Sequence, residues 1–116
     1  VNRPEAPDEL TDEQAEEWRA ITGRMPADWF PRETHGMLTQ LCRHTVAARR
    51  VAQLIGVAES SEHLNVDEYE RLLSMQDRES RAVAMLATKM RISQQTTYDP
   101  RKRKPVIGSP PWEPKT

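Results

Sequence analysis

Apolar residues return at three- and four-residue intervals along three stretches of this chain, and no stretch shows the strict alternation of a half-buried strand. In "LTDEQAEEWRAITG", Thr11 is placed to cap a helix and Gln14 to complete a capping box, while acids crowd the first turns where the helix dipole favours them. Ala15, Trp18, Ile21 and Met25 then form one apolar face, and Gly23 is a candidate stop. A second helix is predicted from about Thr34 to Glu59. On it Leu38, Leu41, Cys42, Thr45, Ala48, Ala52 and Ile55 share a broad face, whereas Val46, Ala47 and Leu54 fall well away from it. Two apolar faces call for two packing partners. The third helix opens at "NVDEYERLL", with Asn65 as cap and Glu68 three residues on, and continues without Gly or Pro to about Ser93. Tyr69, Leu72, Leu73, Gln76, Ser80, Val83, Ala87 and Met90 occupy one arc of it, and Arg71, Arg78 and Lys89 line up on the far side.

The connection "SSEHLN" is short and polar, so the second and third helices should fold back as an antiparallel hairpin. The predicted class is therefore all-α: a short N-terminal helix followed by a long helical hairpin. Its helices are expected over about 12–23, 34–59 and 66–93, within an oligomerisation domain spanning residues 11–98. Residues 1–10, with Pro4 and Pro7, are expected to be mobile. From Asp99 the composition shifts to "DPRKRKPVIGSPPWEPKT", with five prolines in eighteen residues and no periodicity, which reads as an extended or disordered tail.

The stretch "MPADWFPRETHGML" lies between the first two helices and poses a choice between chemistry and architecture. A metal or acid–base site would need Asp28, Glu33 and His35 to converge with another ligand or base. The sequence offers no HExxH and no paired cysteines, and His35 and His44 fall on opposite sides of one helix, with His63 in the far turn. As a joint the stretch makes better sense. Pro26 stops one helix, Asp28 can cap a turn, Pro31 suits an early helical position, and Trp29 and Phe30 pin the first helix to the hairpin.

Composition sharpens this picture. With 116 residues, 36% hydrophobic residues and a mean hydropathy of -0.82, a lone copy has little apolar surface to bury. Nothing resembles a signal peptide or a membrane span, so a soluble intracellular protein is expected. Val1 in place of an initiator Met suggests that residues are missing from the start. Cys42 has no partner for a disulfide and lies in an apolar pattern, where free cysteine acts as a small hydrophobe. The four glycines are isolated, so no phosphate loop can form, and no Ser, His and acid stand at suggestive spacing. No enzyme, metal or cofactor is expected.

The net charge of -1 conceals segregation: residues 1–34 hold nine acids and four bases, and residues 35–58 hold three arginines and no acid. Acidic and basic modules of identical copies could meet this way. The expected pairing sets Arg43, Arg49 and Arg50 of one copy against Glu13, Glu16 and Glu17 of the next, with Val46 and Leu54 supplying the apolar part of that interface. Arg101, Lys102, Arg103 and Lys104 are suited to neutralising phosphates or to keeping the tail soluble. Arg71, Arg78 and Lys89 are either a second ligand surface or a solvated face. Trp112, alone among prolines in "PPWEP", is a candidate docking peptide or a weak packing contact.

An acidic helix with "EEWRAI", the "DWFPRETH" junction, "LCRHTVAARR" and "EYERLLSMQDRESRAVAMLATKMRIS" follow one another in this chain. In that order they resemble the small terminase subunits of tailed bacteriophages, in the branch with a long helical hairpin and a charged C-terminus. The likeness covers about residues 10–98. It implies a non-enzymatic component of the viral DNA-packaging motor, working in the host cytoplasm, that assembles as a homo-oligomeric ring of about nine copies. Its implied partners are double-stranded viral DNA and the large terminase subunit, which owns the ATPase and nuclease, with Trp112 the candidate for docking it. Many relatives carry an N-terminal helix-turn-helix; this chain has one short acidic helix there, which repels phosphate. Arg43, Arg49 and Arg50 could alternatively line the ring's bore. The rival reading is a helical adaptor or scaffold that binds only protein.

Overall fold

The fold is all-α. In the computed structural model, which describes residues 2–93, the helices are α1 (Asp12–Arg24), α2 (His35–Glu59) and α3 (Val66–Lys89), with a 3-10 turn at Arg32–Thr34 between the first two. Thr11 and Gln14 close the expected capping box on α1, and the Asn65 side chain accepts from the Glu68 amide at the start of α3. Satisfying these otherwise orphaned amides is what sets both helix starts. Gly23 does not stop α1. The helix runs one residue further to Arg24, and Met25, already extended, leads into Pro26, which cannot continue it.

α2 and α3 form the hairpin, and their seam follows the alternating three–four spacing of a coiled coil. On α2 the positions are Met37, Leu41, His44, Ala48, Val51, Ile55 and Ala58; on α3 they are Tyr69, Leu72, Gln76, Glu79, Val83, Leu86 and Met90. The buried side chains fall into two clusters. The larger, at the base, gathers Trp18 and Ile21 of α1, Phe30, Leu38, Leu41 and Cys42, and Leu86, Ala87, Met90 and Ile92 at the end of the chain's third helix. The smaller, towards the tip, is only Val51, Ile55 and Leu72, with Ala58 and Tyr69 packed against it.

Three expectations are corrected here. Residues 2–10 are tied down rather than mobile: the Trp18 indole donates to the Pro4 carbonyl at 2.9 Å, Leu10 is buried, and Arg3 donates to the Thr22 and Met25 carbonyls. Arg3 thereby closes the C-terminal end of α1, where a cation also suits the dipole. α3 ends at Lys89, not near Ser93. The Ile92 amide donates to the Ala87 carbonyl and the Arg91 amide to Thr88, a Schellman closure that places Arg91 at φ 60, where glycine is usual. Val46, assigned to a free second face, is 3% exposed within its own chain, while Leu54 is 48% exposed.

The junction is architecture. Phe30 is buried, and the Trp29 indole donates to the Met90 carbonyl at 3.0 Å, joining the loop to the end of α3 across 61 residues. Pro31 precedes the 3-10 turn, and the Thr34 hydroxyl donates back to its carbonyl. Asp28 is exposed and its side chain caps nothing among the described residues.

Candidate nucleic-acid interface

The outer face of α3 carries the basic stripe. Arg71 and Arg78 are seven residues apart and Lys89 lies eleven further on, so at about 100° per residue the three drift by only about 20° around the helix. All three are exposed, and none has a carboxylate within ion-pair distance among the described residues. Their span is roughly 27 Å, about eight base pairs of duplex. Cations that are extended, solvated and unpaired in the free protein keep their full charge for a phosphate backbone. Arg81 differs: its guanidinium is engaged by Asp77 one turn away, at 2.6 Å.

The other charged surface is spent inside the chain. Arg43 pairs with Glu9 at 3.0 Å, Arg49 with Glu17 and with Glu13 at 3.6 Å, and Arg50 with Glu13 at 3.6 Å. The pairing expected between neighbouring copies is therefore met within one copy, α1 lying across α2. Glu16, expected to share in it, is exposed and unpaired among the described residues, and Glu9, which was not expected, takes Arg43. The hydrogen bond to Glu17 drives the Arg49 guanidinium above its already high range, outweighing the opposing effect of burial. These pairs are largely exposed and individually weak. Their importance is electrostatic: acids that would repel a polyanion are partly neutralised in place.

His35 and Cys42 serve packing. His35 stands edge-on to Trp18, centroids 5.8 Å apart, and its Nε2 lies 3.1 Å from the Phe30 carbonyl; a carbonyl can only accept, so Nε2 carries the hydrogen. Cys42 is fully buried, and burial, with the negative charge of Glu17 adding to it, pushes its thiol up to about 12. It holds almost no thiolate at neutral pH. His63 is exposed in the connection between α2 and α3, and among the described residues no three of His, Cys, Asp and Glu gather as metal ligands would.

One pair escaped the sequence reading. His44 Nδ1 donates to Glu79 Oε1 at 2.6 Å, from facing positions of the hairpin seam. This polar layer divides the base cluster from the tip cluster. The signal was present in the spacing, which puts both residues on the seam, but the arc drawn on α3 took Ser80 at that level and omitted Glu79.

Arg101, Lys102, Arg103, Lys104 and Trp112 lie outside the described residues, so the basic cluster and the docking peptide rest on sequence. No helix among the described residues is long and apolar enough to cross a membrane. The chain matches no family model, no curated protein and no solved structure.

Proposed function

We propose that this chain is a small terminase subunit, a non-enzymatic component that binds double-stranded viral DNA as a homo-oligomeric ring of about nine copies in the host cytoplasm and brings in and regulates the large terminase. The observation that carries the reading is the division of charge. The arginines of α2 are occupied by Glu9 and by the acids of α1, while Arg71, Arg78 and Lys89 have no carboxylate partner among the described residues and lie along one side of α3. The residue order from the Trp18 helix through the Trp29 junction to "LATKMRIS" supports the family, and the basic cluster Arg101 to Lys104 adds four cations later in the sequence.

Gel-shift titration of a duplex across a salt series tests this. Replacing Arg71, Arg78 and Lys89 by alanine should weaken binding at all sequences and reduce the slope of log affinity against log salt by about 2–3. Replacing Arg101, Lys102, Arg103 and Lys104 should flatten it further. Wild-type protein that shifts no duplex at moderate salt, alone or with the large subunit, would leave the protein-binding adaptor as the better reading. The exposed apolar tip of the hairpin favours that second reading.

A further inference from the structure

The far end of the hairpin is apolar on its surface and negative around it. Leu54, Val57, Leu64 and Val66 are 48%, 68%, 43% and 69% exposed. Residues 54–70 contain Glu59, Glu62, Asp67, Glu68 and Glu70 and no lysine or arginine, and all five acids are exposed. Aliphatic residues at such exposure, gathered at one end of a small domain, mark a contact surface.

An apolar counterpart lies at the base. A groove of about 370 Å³ opens between α1, α2 and the end of α3, with Ala20, Leu41, Val83 and Ala87 along it and Arg24 and Arg49 at its edge. Arg49 is engaged by Glu17, which also borders the groove, but Arg24 has no carboxylate partner among the described residues.

We infer that the hairpin tip of one copy docks head to tail on the apolar groove, edged by Arg24, at the base of the next. The partner's being a second copy rests on the packaging reading; the choice of surfaces does not. The tip cannot fill its own groove, because α2 is continuous from Thr45 beside the groove to Glu59 at the tip, about 21 Å away. Tip against tip would set five acids against five, which like-charge repulsion disfavours. Tip against base joins aliphatic side chains to an apolar floor and puts carboxylates beside the Arg24 guanidinium, which no described carboxylate engages. Such a contact uses two different patches, so it propagates from copy to copy, into a ring where the rotation closes and into a filament where it does not.

Two variants outside the core test it. Leu64→Asp spoils the tip, and Ala20→Trp, at an exposed position, blocks the groove; circular dichroism checks that both remain helical. Native mass spectrometry should find wild type assembled and each variant alone monomeric, with dissociation constants raised at least about tenfold. An equal mixture should form a heterodimer and nothing larger, because one intact tip meets one intact groove and the other two faces are dead. If Leu64→Asp dissociates the assembly while Ala20→Trp leaves its mass unchanged, the contact is tip to tip and the inference is overturned. If both variants keep the wild-type mass, copies pack through other surfaces and it is likewise overturned, while wild-type DNA binding in gel shifts would keep the packaging reading. A wild-type chain that stays monomeric at high concentration and shifts no duplex removes both.

Discussion

The two ends of the hairpin are built from the same pair of helices and have opposite fates. At the base, α1, the junction and the N-terminal segment cover α2 and α3, and Trp18, Leu38 and Cys42 lose all contact with solvent. At the tip no third described element covers the pair, and three buried residues hold it while four aliphatic neighbours are exposed. The lesson is that a hairpin seam buries only one stripe of each helix. Completing a core takes a third element, and α1 is 13 residues long where α2 has 25. It reaches only half of its neighbour.

The comparison is broken most forcefully at Trp18. Trp18→Ala should cost about 3–5 kcal/mol in chemical denaturation, since a fully buried indole at the centre of three elements leaves a cavity that cannot collapse. Leu72→Ala, in the small tip cluster, should cost about 2 kcal/mol, because an edge site relaxes and admits water. Equal losses at the two sites would mean that the ends are one cooperative core. Amide exchange should show the tip opening first.

The polar layer offers a sharper probe. Glu79→Leu alone removes the acceptor of the His44 Nδ1–H and should cost about 1 kcal/mol, a modest figure because the pair is partly solvated. Adding His44→Leu should restore stability to the wild-type value or above it by fusing the two clusters into one apolar seam. A double-mutant cycle with no coupling would show that the pair does not bridge the helices. The smallest effect is expected at Arg91. Arg91→Gly relieves a left-handed residue by about 1 kcal/mol but loses the guanidinium stacked 5.0 Å from the Trp29 ring, worth about 0.5–1 kcal/mol. The melting temperature should therefore hardly move. Arg91→Val, which keeps the strain and drops the stacking, should lower it clearly.

Much of the scaffold was legible because its signals are local. Thr11 with Gln14 and Asn65 with Glu68 mark helix starts through bonds spanning three residues, and Pro26 and Pro31 bracket the junction. What was not legible depends on which element lies across which. Val46 looked like a free face because the angular arithmetic assumes the same neighbours along a whole helix, whereas those of α2 change midway. Complementary charge predicted that Arg49 meets Glu13 and Glu17, but charge cannot tell one's own α1 from a neighbour's. The N-terminal segment looked mobile on its prolines, and only the fold shows the Pro4 carbonyl accepting from the Trp18 indole. Of the candidate DNA-binding residues, the alignment of the α3 stripe was readable from periodicity, and that side of the helix is exposed at Arg71, Arg78 and Lys89 alike. The tip-and-groove pair was not, because the groove is assembled from residues distant in sequence.

Being the chain's sole sulfhydryl and wholly enclosed at the base, Cys42 doubles as a built-in clock. An alkylating reagent can reach it only when α1 lifts from the hairpin, so the pace of its modification reads out how often that happens. Partner copies or DNA that brace the base would slow the clock without any engineered label.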